Sequence, residues 1–75
     1  MKKKEESIPV PAGTVFGTTR KSLGLTQKDI SLKSGIAQGD ISRIESGLAN
    51  PSLKTMTRLA DALGMELCIK LVKKK

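Results

Sequence analysis

Apolar residues recur every three or four positions along the middle of the chain, the spacing that gathers them on one face of an α-helix. A glycine follows each such run, and glycine readily adopts the left-handed conformation that ends a helix. The spacing therefore predicts an all-α, four-helix domain, with helices from about Thr14 to Leu23, between Thr26 and Gly35, from about Gln38 to Ser46, and from the start signal Asn50-Pro51-Ser52 to Gly64.

The same spacing identifies the residues that we expect to face the core. They are Val15, Phe16, Thr19 and Leu23 on the first helix, Ile30 on the second, Ile41, Ile44 and Leu48 along the third, and Leu53, Met56, Ala60 and Leu63 on the fourth. Two glycines, Gly13 and Gly17, weaken the prediction of the first helix, because glycine inside a helix costs about 1 kcal/mol relative to alanine.

The second and third predicted helices form a helix–glycine–helix pattern. Thr26 can accept a hydrogen bond from the amide of Asp29, whose carboxylate occupies the position where a capping box prefers Glu or Gln. Gly35 permits a sharp turn, and Ser31 is small enough for the two helices to approach closely. The pattern is typical both of a simple αα-hairpin and of a DNA-binding helix-turn-helix.

Residues 65–72 follow a different period. Met65, Leu67, Ile69 and Leu71 alternate with other residues, which predicts a β-strand. A single strand leaves its backbone hydrogen bonds unpaired, and no other segment of the chain has a strand-like pattern. We therefore expect the strand to pair with its copy in a homodimer; a fifth helix packed on the bundle is the alternative.

Composition narrows the possible functions. The 75 residues include 14 Lys and Arg, 7 Asp and Glu, no His and a single Cys, with a net charge of +7. Without His and with only Cys68, the chain cannot form a zinc finger, a Cys–His pair or a Ser–His–Asp triad. Phe16 alone cannot build an aromatic surface for base stacking. We expect no enzymatic activity, no metal and no cofactor.

Cysteine usage and hydropathy also predict location. One cysteine cannot form an internal disulfide, which favours a reducing cytoplasm, and no apolar run approaches the roughly 20 residues that span a bilayer. The basic residues concentrate toward the two ends of the chain. The predicted organisation is a flexible basic tail at 1–11, a helix-turn-helix domain at 12–64, and a strand with a lysine tail at 65–75.

The chain resembles the Xre/Cro-type, lambda-repressor-like DNA-binding family in three motifs that have the family's order and spacing: Leu-Gly-Leu-Thr-Gln-Lys-Asp-Ile-Ser at 23–31, Gly-Ile-Ala-Gln-Gly-Asp-Ile-Ser-Arg-Ile-Glu-Ser-Gly at 35–47, and Asn-Pro-Ser-Leu-Lys-Thr at 50–55 with Leu-Ala-Asp-Ala-Leu-Gly at 59–64. The resemblance implies a transcriptional regulator of bacterial or phage type, in the first place a repressor, that inserts the helix at 38–46 in the major groove. The segment after position 64 resembles the strand that follows this domain in HigA- and HipB-type antitoxins. An antitoxin that binds a toxin and autoregulates its operon is therefore the alternative function.

The resemblance also implies roles for individual residues. Gln27 would bond a phosphate and brace the recognition helix, Gln38 and Arg43 would read adenine and guanine, and Lys54 and Thr55 would grip the DNA backbone. The DNA-binding residues implied in this way are Gln27, Lys28, Gln38, Gly39, Asp40, Ser42, Arg43, Lys54 and Thr55.

Other positions receive a structural role or depart from the family pattern. Arg20 and Glu45 match an ion pair that joins the first and third helices in relatives, so we assign them to structure. Ala37 replaces a serine cap, and Gly39 replaces a side chain that commonly reads a base, so specificity would be modest or depend on DNA shape. Asp40 has two interpretations: it accepts a hydrogen bond from cytosine, or it only favours the positive start of the helix.

A homodimer would present two recognition helices to successive major grooves. Its two-fold symmetry would demand a pseudo-palindromic operator with half-sites about one helical turn apart. The expected partners are therefore double-stranded DNA and a second copy of the chain, with a toxin only in the alternative function and no membrane.

Overall fold

The computed structural model of the chain describes residues 12–74. It contains four consecutive helices, α1 (Ala12–Ser22), α2 (Gln27–Ser34), α3 (Gln38–Glu45) and α4 (Leu53–Ala62). The predicted all-α, four-helix domain is confirmed, and no helix in the described part is long and apolar enough to cross a membrane. The tail predicted at 1–11 lies outside the described residues.

Local side-chain chemistry explains where α2 and α4 begin. The Thr26 hydroxyl accepts from the Asp29 amide at 3.0 Å and the Asp29 carboxylate accepts from the Thr26 amide at 2.9 Å, so the predicted capping box is complete. The hydrogen bond from the Thr26 amide holds the pKa of Asp29 below its usual range. In α4 the cap is Ser52, whose hydroxyl accepts from the Thr55 amide at 3.1 Å. Pro51, in the middle of the predicted start signal, therefore lies immediately before the cap.

The core lies where the helices meet, with α1 and α2 each packing against both α3 and α4. Its largest fully buried side chains are Ile30, Ile41 and Leu59. Leu59 was not among the predicted core residues, although it lies on the same helical face as the predicted Met56. The remaining core side chains are Phe16, Ile44, Ala60, Ala62 and Leu63.

Four apolar residues that were predicted to face the core are exposed. Val15, Leu23, Leu48 and Leu53 leave between 45% and 79% of their surface in solvent. Leu48 follows the end of α3, where the chain turns at Gly47 with a φ of 82°. Helical spacing alone does not distinguish an inward residue from one at the edge of the apolar face, and these predictions were wrong for that reason.

Helix α1 packs through a face that contains little apolar surface, formed by Gly13, Phe16, Gly17 and Arg20. A Cβ atom on Gly13 would lie 2.6 Å from Cγ2 of Ile44 and closer still to its carbonyl oxygen. The missing side chain lets α1 approach the backbone of α3, and this close packing offsets the poor helix propensity of glycine.

Residues 65–74 form neither a helix nor an assigned strand, so the alternative of a fifth helix is wrong. The amide of Met65 donates to a carbonyl in the last turn of α4 at 2.9 Å, and beyond it no backbone hydrogen bond joins the segment to the rest of the described chain. Leu67 packs against the core, whereas Ile69 and Leu71 are exposed. The strand across a dimer stays a prediction, since its partner would belong to a second chain.

Candidate nucleic-acid interface

Helix α3 has two faces of opposite character. Ile41 and Ile44 are buried, and with Glu45, whose side chain is largely buried, they form what we call the inner face of α3. All other side chains of the helix are exposed, and these five residues form its outer face: Gln38, Gly39, Asp40, Ser42 and Arg43. The residues that sequence reasoning assigned to the major groove therefore lie together on one accessible surface.

The turn that aims α3 is fixed by short hydrogen bonds. Gly35 adopts a φ of 76°, and its amide donates to the Ser31 carbonyl at 2.9 Å. The Ser31 hydroxyl donates to the carbonyl of Ile36 at 2.6 Å. The Ser31 hydroxyl thus joins α2 to the segment that leads into α3. The sequence had predicted only that Ser31 is small enough for the two helices to approach closely.

Arg58 supports the same turn from α4, and sequence reasoning missed it. Its Nη2 atom donates to the Ser34 carbonyl at 2.8 Å, which provides a partner for a carbonyl at the carboxyl end of α2. A Cβ on Gly35 would lie 2.9 Å from that nitrogen. The contact joins residues that are far apart in sequence, so no local pattern could have identified it.

An ion pair attaches the inner face of α3 to α1. Nε of Arg20 donates to Oε2 of Glu45 at 2.8 Å and Nη2 donates to Oε1 at 2.9 Å, while Nη1 donates to the Leu25 carbonyl at 2.8 Å. Both side chains are only 10% exposed. Each of the three guanidinium nitrogens of Arg20 therefore donates a hydrogen bond, and the two bonds to Glu45 form a bidentate ion pair that stabilises the buried charges.

Gln27 joins the same cluster from the start of α2. Its side-chain nitrogen donates to Oε1 of Glu45 at 3.0 Å. Burial opposes ionisation of Glu45, but the hydrogen bonds from Arg20 and Gln27 outweigh it and hold the pKa of this carboxyl below its usual range. The amino end of α2 is therefore coupled directly to the inner face of α3.

A second arginine–carboxylate pair lies on the outer face of α3. Nη2 of Arg43 donates to Oδ1 of Asp40, one helical turn earlier. The two side chains remain 58% and 53% exposed. Helix α3 has no side-chain hydrogen bond at its cap, Ala37, and Asp40 is the acidic residue in its first turn.

A polar cleft of about 590 Å³ separates the outer face of α3 from the start of α4. The side chains of Asp40, Arg43, Ser52, Thr55 and Arg58 line it. Asp40 is the only carboxylate among the described residues that line it. The cleft thus offers two guanidinium groups and the amino end of a helix to an anion, with one negative charge beside them.

The remaining candidate residues frame this surface. Lys28 and Lys54 are exposed, and neither forms an ion pair with another described residue. Around Gly39 a Cβ atom would meet nothing within 4 Å. Within residues 12–74 no group of His, Cys, Asp and Glu could hold a metal ion.

An apolar groove lies elsewhere, between α1, α4 and the segment after α4. Its volume is about 590 Å³, and its lining includes Val15, Phe16, Met56, Leu67 and Ile69. Cys68, also in the lining, is a free and exposed thiol. Charged side chains are scarce in this groove, in contrast to the polar cleft.

Several known proteins are similar to this chain. The model of the helix-turn-helix family HTH_3 matches residues 18–69. An uncharacterised HTH-type transcriptional regulator of Haemophilus influenzae is 44% identical over 52 residues, which are 69% of this chain and 53% of that protein. A second such regulator, of Sinorhizobium fredii, is 40% identical over 53 residues, 71% of this chain and 69% of that protein.

Similarity extends to solved structures. The restriction–modification controller protein C.AhdI from Aeromonas hydrophila superposes with a TM-score of 0.68 at 31% identity, over 72% of this chain and 82% of that one. The chain spans about half the length of the Haemophilus influenzae relative.

Proposed function

The chain belongs to the helix-turn-helix family HTH_3, and from this premise we propose that it is a transcriptional regulator that binds double-stranded DNA sequence-selectively through α3. Its proposed action is repression from an operator. The relatives described as transcriptional regulators and the controller-protein neighbour support this proposal.

Exposure of the outer face of α3 carries the proposal. A helix can enter the major groove only where one of its sides is free of its own protein. Burial of Ile41 and Ile44 anchors the helix, while Gln38 and Arg43 remain exposed. The Gln38 amide matches the hydrogen-bonding edge of adenine, and the Arg43 guanidinium matches that of guanine.

Donors on either side of α3 support contacts to the DNA backbone. Gln27 keeps one amide hydrogen after donating to Glu45, so it can donate to a phosphate while it braces α3. Lys28 extends from the same turn of α2, and Lys54 lies in the first turn of α4, where the helix dipole favours anions. These residues would position the protein, and the outer face of α3 would read the sequence.

Selection of bound duplexes from fragmented genomic DNA tests this function. We expect the protein to enrich one pseudo-palindromic motif, because two copies of α3 related by two-fold symmetry read matching half-sites. The affinity for that motif should fall with increasing salt at a slope near −0.9 per phosphate neutralised. Enrichment of no sequence, or the absence of any duplex binding, would contradict the proposal.

The symmetric motif requires a homodimer, which we propose to form through residues 65–72. Apart from the amide of Met65, their backbone groups have no backbone hydrogen-bond partner in the described chain, and Ile69 and Leu71 are 64% and 97% exposed. Pairing of two such segments would satisfy the backbone and lay the apolar side of the new ribbon over the apolar groove. A second copy of this chain therefore fits that surface.

Charge and side-chain pattern favour one register for this pairing. In an antiparallel pair centred on Cys68, Glu66 of one strand lies opposite Lys70 of the other, and Met65 lies opposite Leu71. The first pair combines opposite charges and the second buries apolar surface, and both kinds of cross-strand pair are stabilising. The two Cys68 residues would then face each other at the two-fold axis.

Oxidative cross-linking tests the dimer and its register. Directly opposed residues in an antiparallel pair are about 4.5–5.5 Å apart between Cα atoms, which suits a disulfide. Mild oxidation should link Cys68 across the dimer. With Cys68→Ser as background, a Glu66→Cys chain should cross-link to a Lys70→Cys chain but not to itself. A monomer in ultracentrifugation, or self-linking of Glu66→Cys, would contradict the register.

The antitoxin alternative stays a prediction. No observation on the described residues favours a toxin as partner, and the relatives compared above are described as transcriptional regulators and a controller protein.

A further inference from the structure

We propose that Asp40 is a specificity-determining residue that turns Arg43 from a general phosphate binder into a reader of guanine. This inference rests on the proposed function, since it assumes that the outer face of α3 meets DNA. It concerns what the Asp40 carboxylate does to Arg43, which is distinct from reading a base itself.

The geometry of the pair supports this role. Among the donors of Arg43, only Nη2 donates to Asp40. Nε and Nη1 have no hydrogen-bond partner among the described residues. A guanidinium has five N–H donors, and most of them stay available for a second acceptor. Both side chains are more than half exposed, so DNA could reach them without unfolding any part of α3.

The charge of the pair decides which acceptor it prefers. Arg43 with Asp40 is electrically neutral yet still rich in donors. A phosphate carries a full negative charge, so the neutral pair attracts it much less than Arg43 alone would. The Asp40 carboxylate also repels it directly. The O6 and N7 atoms of guanine are neutral acceptors, and they keep the hydrogen bonds that the remaining donors offer. The pair therefore weakens non-specific contact with phosphates more than it weakens cognate contact with guanine.

The surroundings of the pair make this selection effective. The polar cleft beside it contains Arg58 and the amino end of α4, and both attract anions. Within the part of the chain that the structure describes, Asp40 is the only negative charge that lines the cleft. Without it, the two arginines would bind any DNA backbone that entered the cleft.

The variant Asp40→Asn tests the proposal on the full chain. Its affinity should be measured by fluorescence anisotropy, from 50 to 300 mM salt, for the selected operator and for a scrambled duplex of equal length. The scrambled duplex should bind about threefold to tenfold more tightly, and its salt slope should steepen by about 0.9, the value for one additional phosphate contact. Operator affinity should change by less than the scrambled affinity, so the specificity ratio falls.

Asp61→Asn is the matched control. It changes the net charge by the same amount, but Asp61 is an exposed residue of α4 that lies beside Lys33 and Leu25, away from the polar cleft. We expect its specificity ratio to match that of the wild type. Thermal unfolding of both variants would show that each remains folded.

The double variant Asp40→Asn/Arg43→Ala separates two mechanisms. If Asp40 acts by holding Arg43, Asp40→Asn should have no further effect on scrambled-duplex affinity once Arg43 is removed, beyond that of Asp61→Asn. A persistent effect would mean that Asp40 repels phosphates by itself. Loss of preference at a single cytosine would mean that Asp40 reads that base. Either result would overturn the proposal.

Failure of the inference can be distinguished from failure of the proposed function. Selective wild-type binding, with Asp40→Asn equal to Asp61→Asn, would overturn the inference alone. Wild-type protein that binds both duplexes equally, or neither, would overturn the proposed function and this inference with it.

Discussion

The two faces of α3 each carry an arginine–carboxylate pair, but in opposite settings. On the inner face Glu45 meets Arg20 with both side chains 10% exposed, and on the outer face Asp40 meets Arg43 with both more than half exposed. Removing one partner of a buried pair leaves a charge that water cannot reach, whereas an exposed pair is readily replaced by water. Burial therefore makes one pair a structural attachment and leaves the other available to a ligand.

Two glycines show the same contrast: Gly13 contacts α3 from α1, and Gly39 belongs to α3 itself. Gly13 of α1 lies against the backbone of Ile44, where a side chain would collide, while Gly39 is surrounded by open space. The first glycine is required by the packing of the protein. The second has no such requirement inside the described chain, so a side chain at position 39 would meet only what approaches α3 from outside.

Replacing one carboxylate on each face of α3 should give the largest difference in stability between the two faces. Glu45→Ala should reduce the free energy of unfolding by about 3–5 kcal/mol, because Arg20 would remain buried without its partner. Asp40→Ala should reduce it by about 1 kcal/mol or less, as for other exposed pairs. Urea denaturation measures both. Similar losses in the two variants would refute the structural assignment of Arg20 and Glu45.

Arginine substitution on the outer face should affect binding and spare stability. Arg43→Ala should weaken operator binding by about 1–3 kcal/mol, the worth of one bidentate base contact, with urea midpoints close to wild type. Gln38→Ala should have an effect of the same order. The control Lys33→Ala removes an equal charge from α2, away from the polar cleft. If Lys33→Ala weakened operator binding as much as Arg43→Ala does, the loss of affinity would reflect net charge alone.

Strong acid should weaken the attachment of the inner face of α3 to α1. Glu45 has a folded-state pKa below its ordinary value of 4.5, so its contribution to stability is complete above that pH and is lost as the pH falls further. Asp29 adds a loss in the same direction, since its pKa is also lowered. In urea denaturation at decreasing pH, Glu45→Gln should show a shallower decline below pH 4.5 than wild type does. Parallel declines would show that Glu45 does not contribute.

Alanine at the two contrasted glycines should give effects of opposite sign. Gly39→Ala should stabilise the protein by about 0.5–1 kcal/mol, because it removes backbone freedom from the unfolded chain without a clash. Gly13→Ala should destabilise it by about 1–3 kcal/mol through overpacking against α3. Thermal melts would measure both. A loss of stability in Gly39→Ala would mean that its surroundings are less open than the structure shows.

Local sequence signals predicted the ends of the helices well, because these depend on neighbouring residues. The capping box of Thr26 and Asp29 and the left-handed Gly35 are interactions within a few positions. The inward face of α1 could not be predicted from apolar spacing. It depends on Gly13, which is small enough for close packing, and on Arg20, which is buried only because Glu45 lies 25 positions later.

The sequence predicted which residues form the candidate site, but it did not predict the contacts between them. The outer face of α3 follows from the resemblance and from the positions of the buried isoleucines. The contact from Arg58 to Ser34 depends on tertiary packing alone. The pair of Asp40 and Arg43 did have a local signal, opposite charges three positions apart, but the two residues were interpreted separately.

The division of α3 into an anchored side and a free side has a practical consequence for engineering. Since Ile41, Ile44 and Glu45 make the contacts that attach the helix, codons 38, 39, 42 and 43 can be randomised together in a library without disturbing them. Such a library would leave the contacts that attach α3 in place while it diversifies the operator sequence that the helix binds. The domain is thus a compact scaffold on which new gene switches can be selected.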